Sequence, residues 1–339
     1  VPHPYPVREI ARQAGVSEAT VDRVLHGRPG VRSGTVLQVR QAIADLDRQS
    51  TQLRLSGRTF MLDVVMDTPQ RFSDLVRRSL EAELPTMQPA TIRARFHVKE
   101  HWAIDDLTAK LNTIAENGSH GVILKAPDTA QISLAIDALH AAGIPVLTLV
   151  TDVPASRRLA YIGMDDRAAG STAAFLIQRW LTRSDAAVLA LTSRNMFRGE
   201  EEREMGFRSA MRTNDPGRRI VEISDTDGLD ENTRRLVAGE LERSPDVGAV
   251  YSIGGGNRGV VDAFGDCART CEVFIGHDLS NDNRALLALG HLTAVIHHDL
   301  RQDMRTAVHA FMVHHGALGG PILPYRSKID IVTPHNIPQ

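Results

Sequence analysis

Residues 7–46 read VREIARQAGVSEATVDRVLHGRPGVRSGTVLQVRQAIADL. Three short helices can be marked out in this stretch. Pro6 suits the start of the first, whose apolar positions Val7, Ile10, Ala11 and Ala14 keep helical spacing. Gly15 ends it, because a tight turn needs a residue that accepts positive φ. Ser17 is placed to cap a second helix by accepting a backbone hydrogen bond. Thr20, Val21, Val24 and Leu25 then point inward, which leaves Glu18, Ala19, Asp22, Arg23 and His26 on the outer face. Val36, Val39, Ile43 and Leu46 make a third apolar stripe. Ala11, Gly15 and Val21 stand where a helix-turn-helix needs a small residue, a turn and a branched plug. An ordinary three-helix interaction module would carry the same spacing.

Charge separates this head from the rest. Residues 1–58 hold nine Arg, no Lys and five Asp or Glu, a formal charge of +4, and the remainder carries −6. A basic head on an acidic body is the distribution expected when only the head meets phosphate. The chain shows no secretory signal pattern and no apolar run near the length that crosses a bilayer, so the expected compartment is the cytoplasm and no membrane partner is implied. Cys267 and Cys271 stand four apart with no Cys/His set at zinc spacing, and read as reduced structural thiols. No metal or cofactor is implied.

Beyond Arg58 the texture alternates between strand and helix. Strands are expected near 60–66, 92–98, 121–124, 145–149, 159–163, 187–191, 219–223, 249–253, 272–275, 294–296 and 329–332, with helical stretches between most of them. Short apolar strands alternating with helices mean doubly wound parallel sheets, and eleven strands suggest two lobes. The expected fold class is therefore an all-α helix-turn-helix head followed by an α/β body of two doubly wound parallel-sheet lobes. Expected boundaries are a head at 1–47, a linker at 48–58 and a body at 59–339. The first lobe would take about 59–163 and 292–326, and the second about 164–291 and 327–339.

Ligands bind beyond the carboxyl ends of such strands, and those ends are polar here. Met66 runs into Asp67–Phe72, Leu149 into Val150-Thr151-Asp152, and Gly163 into Met164-Asp165-Asp166. Ile253 runs into Gly254-Gly255-Gly256-Asn257-Arg258, and Gly276 into His277-Asp278. Carboxylates, an amide and an arginine around one cleft suit a neutral polyhydroxylated ligand, since each hydroxyl donates and accepts. Any single Asp among them could equally be a helix cap. The glycine run could also cradle a phosphate with help from Arg194 and Arg198, which keeps a phosphorylated ligand open. No dinucleotide fingerprint, nucleophile elbow or zinc-protease motif appears. The adjacent pairs His297-His298 and His314-His315 read as surface or interface residues.

The stretch quoted above resembles the DNA-binding head of the LacI/GalR repressor family, whose pattern is A-G-V-S-x-x-T-V-S-R-V-L-N. The match takes in Ala14, Gly15, Val16, Ser17, Thr20, Val21, Arg23, Val24 and Leu25. The body resembles that family's type-1 periplasmic-binding-protein-like core through Gly143–Val146, Tyr161–Asp165, Arg203–Phe207, Ile253–Asn257 and Gly276–Asp278. The resemblance implies a homodimeric repressor that binds a pseudo-palindromic operator in double-stranded DNA and a monosaccharide or polyol effector. It implies that the second helix enters the major groove with Ser17, Glu18, Ala19, Thr20, Arg23 and His26 toward DNA, Glu18 and Ala19 setting the choice of operator. It implies that Leu55 wedges into the minor groove from a hinge. On the effector side it implies Arg203 and Asp278 on sugar hydroxyls, Phe72 over a ring face and Asp165 in the cleft. Asp152 and Asn257 join them from the strand ends. Two departures in the head stand out, Asp22 in place of a serine and His26 in place of an asparagine, and the linker lacks a proline. Asp22 either faces a base donor or pairs with an arginine.

Overall fold

The computed structural model describes residues 3–193, 197–224, 226–322 and 324–338. Three helices form the head: α1 (Val7–Ala14), α2 (Glu18–Leu25) and α3 (Ser33–Leu55). Gly15 ends α1 at φ 65°, returning its N–H to the Ala11 carbonyl, a conformation that a Cβ disfavours. The Ser17 side chain accepts from the Thr20 N–H and so starts α2. Ile10, Ala11, Ala14, Val21, Val39, Ala42 and Leu46 close a small core of their own.

The expected linker at 48–58 is instead mostly helix. Residues 47–55 hold no glycine or proline, so nothing interrupts the i to i+4 ladder and α3 runs on to Leu55. Leu55 is buried and joins the apolar core of the first lobe beside Phe60 and Leu62. It is therefore not an exposed wedge in this structure. Leu53, 78% exposed, is the apolar side chain this segment offers to solvent.

The body then alternates as expected. Its first series is β1 (Thr59–Asp67), α4 (Gln70–Glu83), β2 (Thr91–Lys99), α5 (Ile104–Asn117), β3 (Gly121–Lys125), α6 (Ala130–Ala141), β4 (Val146–Leu149) and β5 (Ala160–Ile162). The second begins with α7 (Asp166–Trp180), β6 (Ala187–Leu191), α8 (Arg198–Asn214), β7 (Ile220–Ile223) and α9 (Asp230–Arg243). It continues with β8 (Val247–Ser252), α10 (Asn257–Asp266), β9 (Val273–His277), α11 (Asn281–Ala288) and β10 (Ala294–His297), before α12 (Leu300–His314) and β11 (Asp330–Val332).

Two sheets result. The first has the order β2-β1-β3-β4-β5 and the second β11-β10-β9-β8-β6-β7. All pairings are parallel except β11 against β10. Without β11 the two orders are the same, each with its first two strands exchanged, and ligand crevices open at that switch point. The strands are apolar on both faces because helices cover both, which gives each sheet two core layers.

The chain passes between lobes after β5, after β10 and before β11. Because β10 pairs with β9, residues 292–297 belong to the second sheet, not to the first lobe as expected; only from α12, packed on α4, does the chain rejoin the first. Glu83 fixes that return. Fully buried at the end of α4, it accepts from Arg301 Nε at 2.8 Å and from Arg305 Nη2 at 2.6 Å. The first and third passages are stitched together: Met164 bridges Ser327, whose N–H donates to the Gly163 carbonyl at 2.8 Å.

Candidate ligand cleft and nucleic-acid interface

The carboxyl ends of both sheets face one cleft, whose empty space is about 870 Å³ including the solvent at its mouth. Phe72, Arg203, Asn257 and Asp278 line it, together with Asp67, Lys125, Glu200 and His277. Three non-glycine residues on its wall hold positive φ, Val150 at 64°, Asp227 at 55° and Asp278 at 62°. For a β-branched residue that is a true outlier, of the kind that gathers at functional sites.

Arg203 shows how the wall is built. It lies in the second turn of α8, 4% exposed, and its Nε donates to Asp166 Oδ1 at 2.7 Å. The Tyr161 hydroxyl donates to the other oxygen of Asp166 at 3.0 Å. Burial pushes the Asp166 carboxyl up, and the Arg203 charge opposes that rise. Burial also opposes the Arg203 charge, but Asp166 and Asp278 outweigh it and keep the guanidinium protonated. One end of the arginine is thus locked, and its Nη2 has no partner among the described residues.

Three further atoms on residues that line the cleft have no hydrogen-bond partner among the described residues: Asn257 Oδ1, His277 Nδ1 and Asp278 Oδ1. Each belongs to a side chain or backbone held elsewhere. Asn257 Nδ2 donates to Asn283 Oδ1 at 2.8 Å, and Asn283 Nδ2 donates to the carbonyls of His277 and Asp278 at 2.8 and 2.7 Å. His277 Nε2 lies 2.8 Å from the Tyr251 hydroxyl. Burial and the Arg203 charge keep the His277 ring neutral, well below its ordinary pKa. Two acceptors, a donor and a ring nitrogen of either kind therefore converge, and a hydroxyl can answer each of them. From the first lobe, Lys125 Nζ donates to the Asp67 carbonyl at 3.0 Å and sits 4.0 Å from the centre of the Phe197 ring. Burial lowers its pKa, against the raising charges of Glu200, Asp67 and Asp278.

Two expected cleft residues lie elsewhere. Asp152 turns away to accept from Arg158 Nη2 at 2.6 Å and from the Thr148 hydroxyl at 2.7 Å, fixing the β4–β5 connection. Asp165 is the exposed N-cap of α7, accepting from the Ala168 N–H. The next residue, Asp166, turns inward instead. Asp67 and His277, noted in sequence among the polar strand ends, do line the cleft, whereas Lys125 escaped the sequence reading although it too ends a strand. His298 is also corrected: far from the surface, it is fully buried, with Nδ1 2.5 Å from Asp303 Oδ2 and Nε2 facing Asp278 at 3.8 Å. Ser327 donates to the second oxygen of Asp303 at 2.7 Å.

The glycine run does not form an open cradle. A side chain at Gly254 would meet Ser193, one at Gly255 the Arg71 guanidinium, and one at Gly256 the Thr233 side chain. Of the two arginines expected to assist an anion, Arg194 lies outside the described residues. Arg198 faces carboxylates, Glu202 at 3.4 Å and Asp128 at 3.6 Å.

On the head, Glu18, Ala19, Arg23 and His26 are exposed along one side of α2. Ser17 and Thr20 share a hydroxyl contact of 2.8 Å at its start. Asp22 pairs with Arg28 at 3.0 Å and with His26 at 3.0 Å, which is the arginine-paired alternative of the sequence reading.

Comparison with known proteins follows this division. Residues 7–48 match the model of bacterial regulatory proteins of the lacI family, and residues 66–315 match that of the periplasmic binding protein domain. The transcriptional regulator MalR of Streptomyces coelicolor is 33% identical over 171 residues, covering 49% of this chain and 48% of MalR. The chain thus aligns with about half the length of the curated relatives it matches. Among solved structures, the glucose-galactose binding protein GanP of Geobacillus stearothermophilus superposes with a TM-score of 0.73 at 22% identity, over 83% of this chain and all of GanP. A structure described as a putative LacI transcriptional regulator from Bacteroides fragilis gives 0.70 at 19%, over 82% of this chain and 98% of its own. At these identities the likeness is one of fold. No helix among the described residues is long and apolar enough to cross a membrane.

Proposed function

Because this chain belongs to the periplasmic binding protein domain family and carries a lacI-family head, we propose that it is a DNA-binding transcription regulator, a repressor of a carbohydrate or polyol utilisation operon, governed by a small neutral sugar-like effector. The observation that carries this reading is the set of four polar atoms, without a hydrogen bond among the described residues, on side chains that line the cleft of a chain that also bears a helix-turn-helix. Arg203, Asn257, Asp278 and His277 take the effector's hydroxyls, and Phe72 offers an apolar face. The protein acts in the cytoplasm, where its operator is, and performs no chemistry of its own.

A phosphorylated effector fits less well. The glycine run is filled by neighbouring side chains, and Asp67, Glu100, Glu200, Asp227 and Asp278 outnumber the cleft's cations. Two heads on a homodimer read two inverted half-sites, so operator affinity depends on how the bodies hold the heads apart. Effector and operator then modulate each other's affinity by one and the same factor. A thermal-shift screen of monosaccharides, polyols and their phosphate esters tests the effector class. Stabilisation by an uncharged sugar or polyol is the expected result, and stabilisation by phosphate esters alone would overturn it. A footprint showing one undivided, asymmetric site would count against the dimer.

A further inference from the structure

The glycine run after β8 does not bind phosphate in this reading, yet its three glycines are closely used. Arg71, in the first turn of α4, reaches from the first lobe across the cleft and donates from Nη2 to the Gly228 carbonyl at 2.6 Å. Gly228 lies in the second lobe, in the loop after β7, and holds φ 72°. Gly255, at φ 96°, forms the other side of the same slot: a Cβ there would collide with Arg71 Nη2. Pro69 Cγ would meet a Cβ at Gly228 at 3.5 Å, so the α4 start and the β7 loop touch closely.

Other polar contacts join the lobes: the Gly199 N–H at the start of α8 donates to Thr151 Oγ1, beyond β4, at 3.1 Å. Arg198 stands 3.6 Å from Asp128, partly exposed on both sides, and Lys125 lies over Phe197. The Arg71 contact is a short hydrogen bond from a guanidinium on one lobe to backbone on the other, seated where both flanking residues are glycines. A guanidinium suits that slot because it is flat and its donors are fixed in a plane. Glycines suit it because positive φ turns their carbonyls and leaves room for an approaching group.

We propose that Arg71 is a positioning residue that bolts the two lobes together, with Gly228 and Gly255 as its socket, and that it sets the balance between open and closed cleft. The bolt works whatever small molecule the cleft takes, so it stands or falls separately from the effector reading. It also lines the cleft beside Phe72.

Small-angle scattering on the full chain tests this without any effector. Arg71→Ala removes the bolt, and its radius of gyration should rise above that of the wild type. Gly255→Ala blocks the socket from the other lobe without touching the arginine, and should give a similar rise. Arg71→Lys keeps the charge but not the planar fork, and should fall between the wild type and Arg71→Ala. Because both alanine variants break one contact, the double variant should rise no further than either alone. An unchanged radius in Arg71→Ala would overturn the proposal, and so would additive rises in the double variant. If Gly255→Ala fails to give a cooperative melt, the arginine series decides alone, since half-buried Arg71 can be shortened without opening a core.

Discussion

The head and the cleft present opposite arrangements of polar groups. On α2 the side chains that face outward are exposed and tied, where tied at all, to neighbours within a few residues, as Asp22 is to His26 and Arg28. In the cleft, side chains such as Arg203 and Asn257 are buried and held by residues far away in sequence, Arg203 by Asp166 and Asn257 by Asn283. An exposed contact surface can be altered one residue at a time with little effect on folding. A buried set cannot, because removing one member leaves another without its partner.

That contrast is open to attack. The largest effect expected is from Arg203→Ala, which leaves Asp166 buried without its guanidinium. Stripping one partner from a buried pair costs about 3–5 kcal/mol, so urea unfolding should show a loss of that order along with loss of effector binding. A stability change under about 1 kcal/mol would mean that Asp166 is not held as described. Asp278→Asn should be milder for the fold and specific for the ligand. It removes a charge-assisted acceptor worth about 1.5–3 kcal/mol, read by calorimetry with whichever sugar stabilises the wild type, while operator affinity stays the same. Equal sugar affinity in the variant would remove Asp278 from the site.

On the head, replacing Glu18 and Ala19 together should change sequence preference by roughly 1–3 kcal/mol per affected base pair and leave the melting temperature unmoved. Selection of the same half-site from a randomised pool by both proteins would show that the first turn of α2 does not read bases.

The smallest effect concerns pH. Burial opposes the charge of His298, but the hydrogen bond and charge of Asp303 and the charge of Asp278 outweigh it, so its pKa is raised. A raised histidine contributes fully below its unfolded value near 6.5 and loses that contribution as pH climbs through the folded value. Buried His277 and His297 have the opposite sign, costing stability as pH falls, and the His298 charge adds to that cost. Its relief in the variant trims the difference without coming from the Asp303 pair. The deficit of His298→Gln against wild type in urea should therefore be larger at pH 6 than at pH 9. A deficit that grows with pH would contradict the assigned charge.

The same local-versus-distant division explains what could be read in advance. Gly15, Ser17 and the apolar spacing of α1 and α2 act within one or two turns, so the sequence alone marks them. The strands show in the same way, each as a short apolar run between turns. The cleft needed more. A carboxylate after a strand may face the ligand, cap a helix or hold a loop, and Asp152, Asp165 and Asp166 look alike until the partners Arg158, Ala168 and Arg203 are in place. His298 reads as surface because nothing nearby announces Asp303 and Ser327. One misreading was avoidable. The missing proline in 47–55, noted as a departure from the LacI/GalR pattern, was itself the signal that α3 would continue.

That continuous α3 has a mechanical consequence. Its 23 residues, at about 1.5 Å of rise each, make a rod about 35 Å long. One end is set in the first-lobe core by Leu55 and the other begins just after the hairpin of α1 and α2. A rod of that length is a lever: tilting its base by about 5° sweeps the tip by about 3 Å, close to the spacing of one base along a DNA strand. If α2 reads bases as proposed, a rotation of the first lobe too small to disturb its packing is therefore enough to carry it out of register with them.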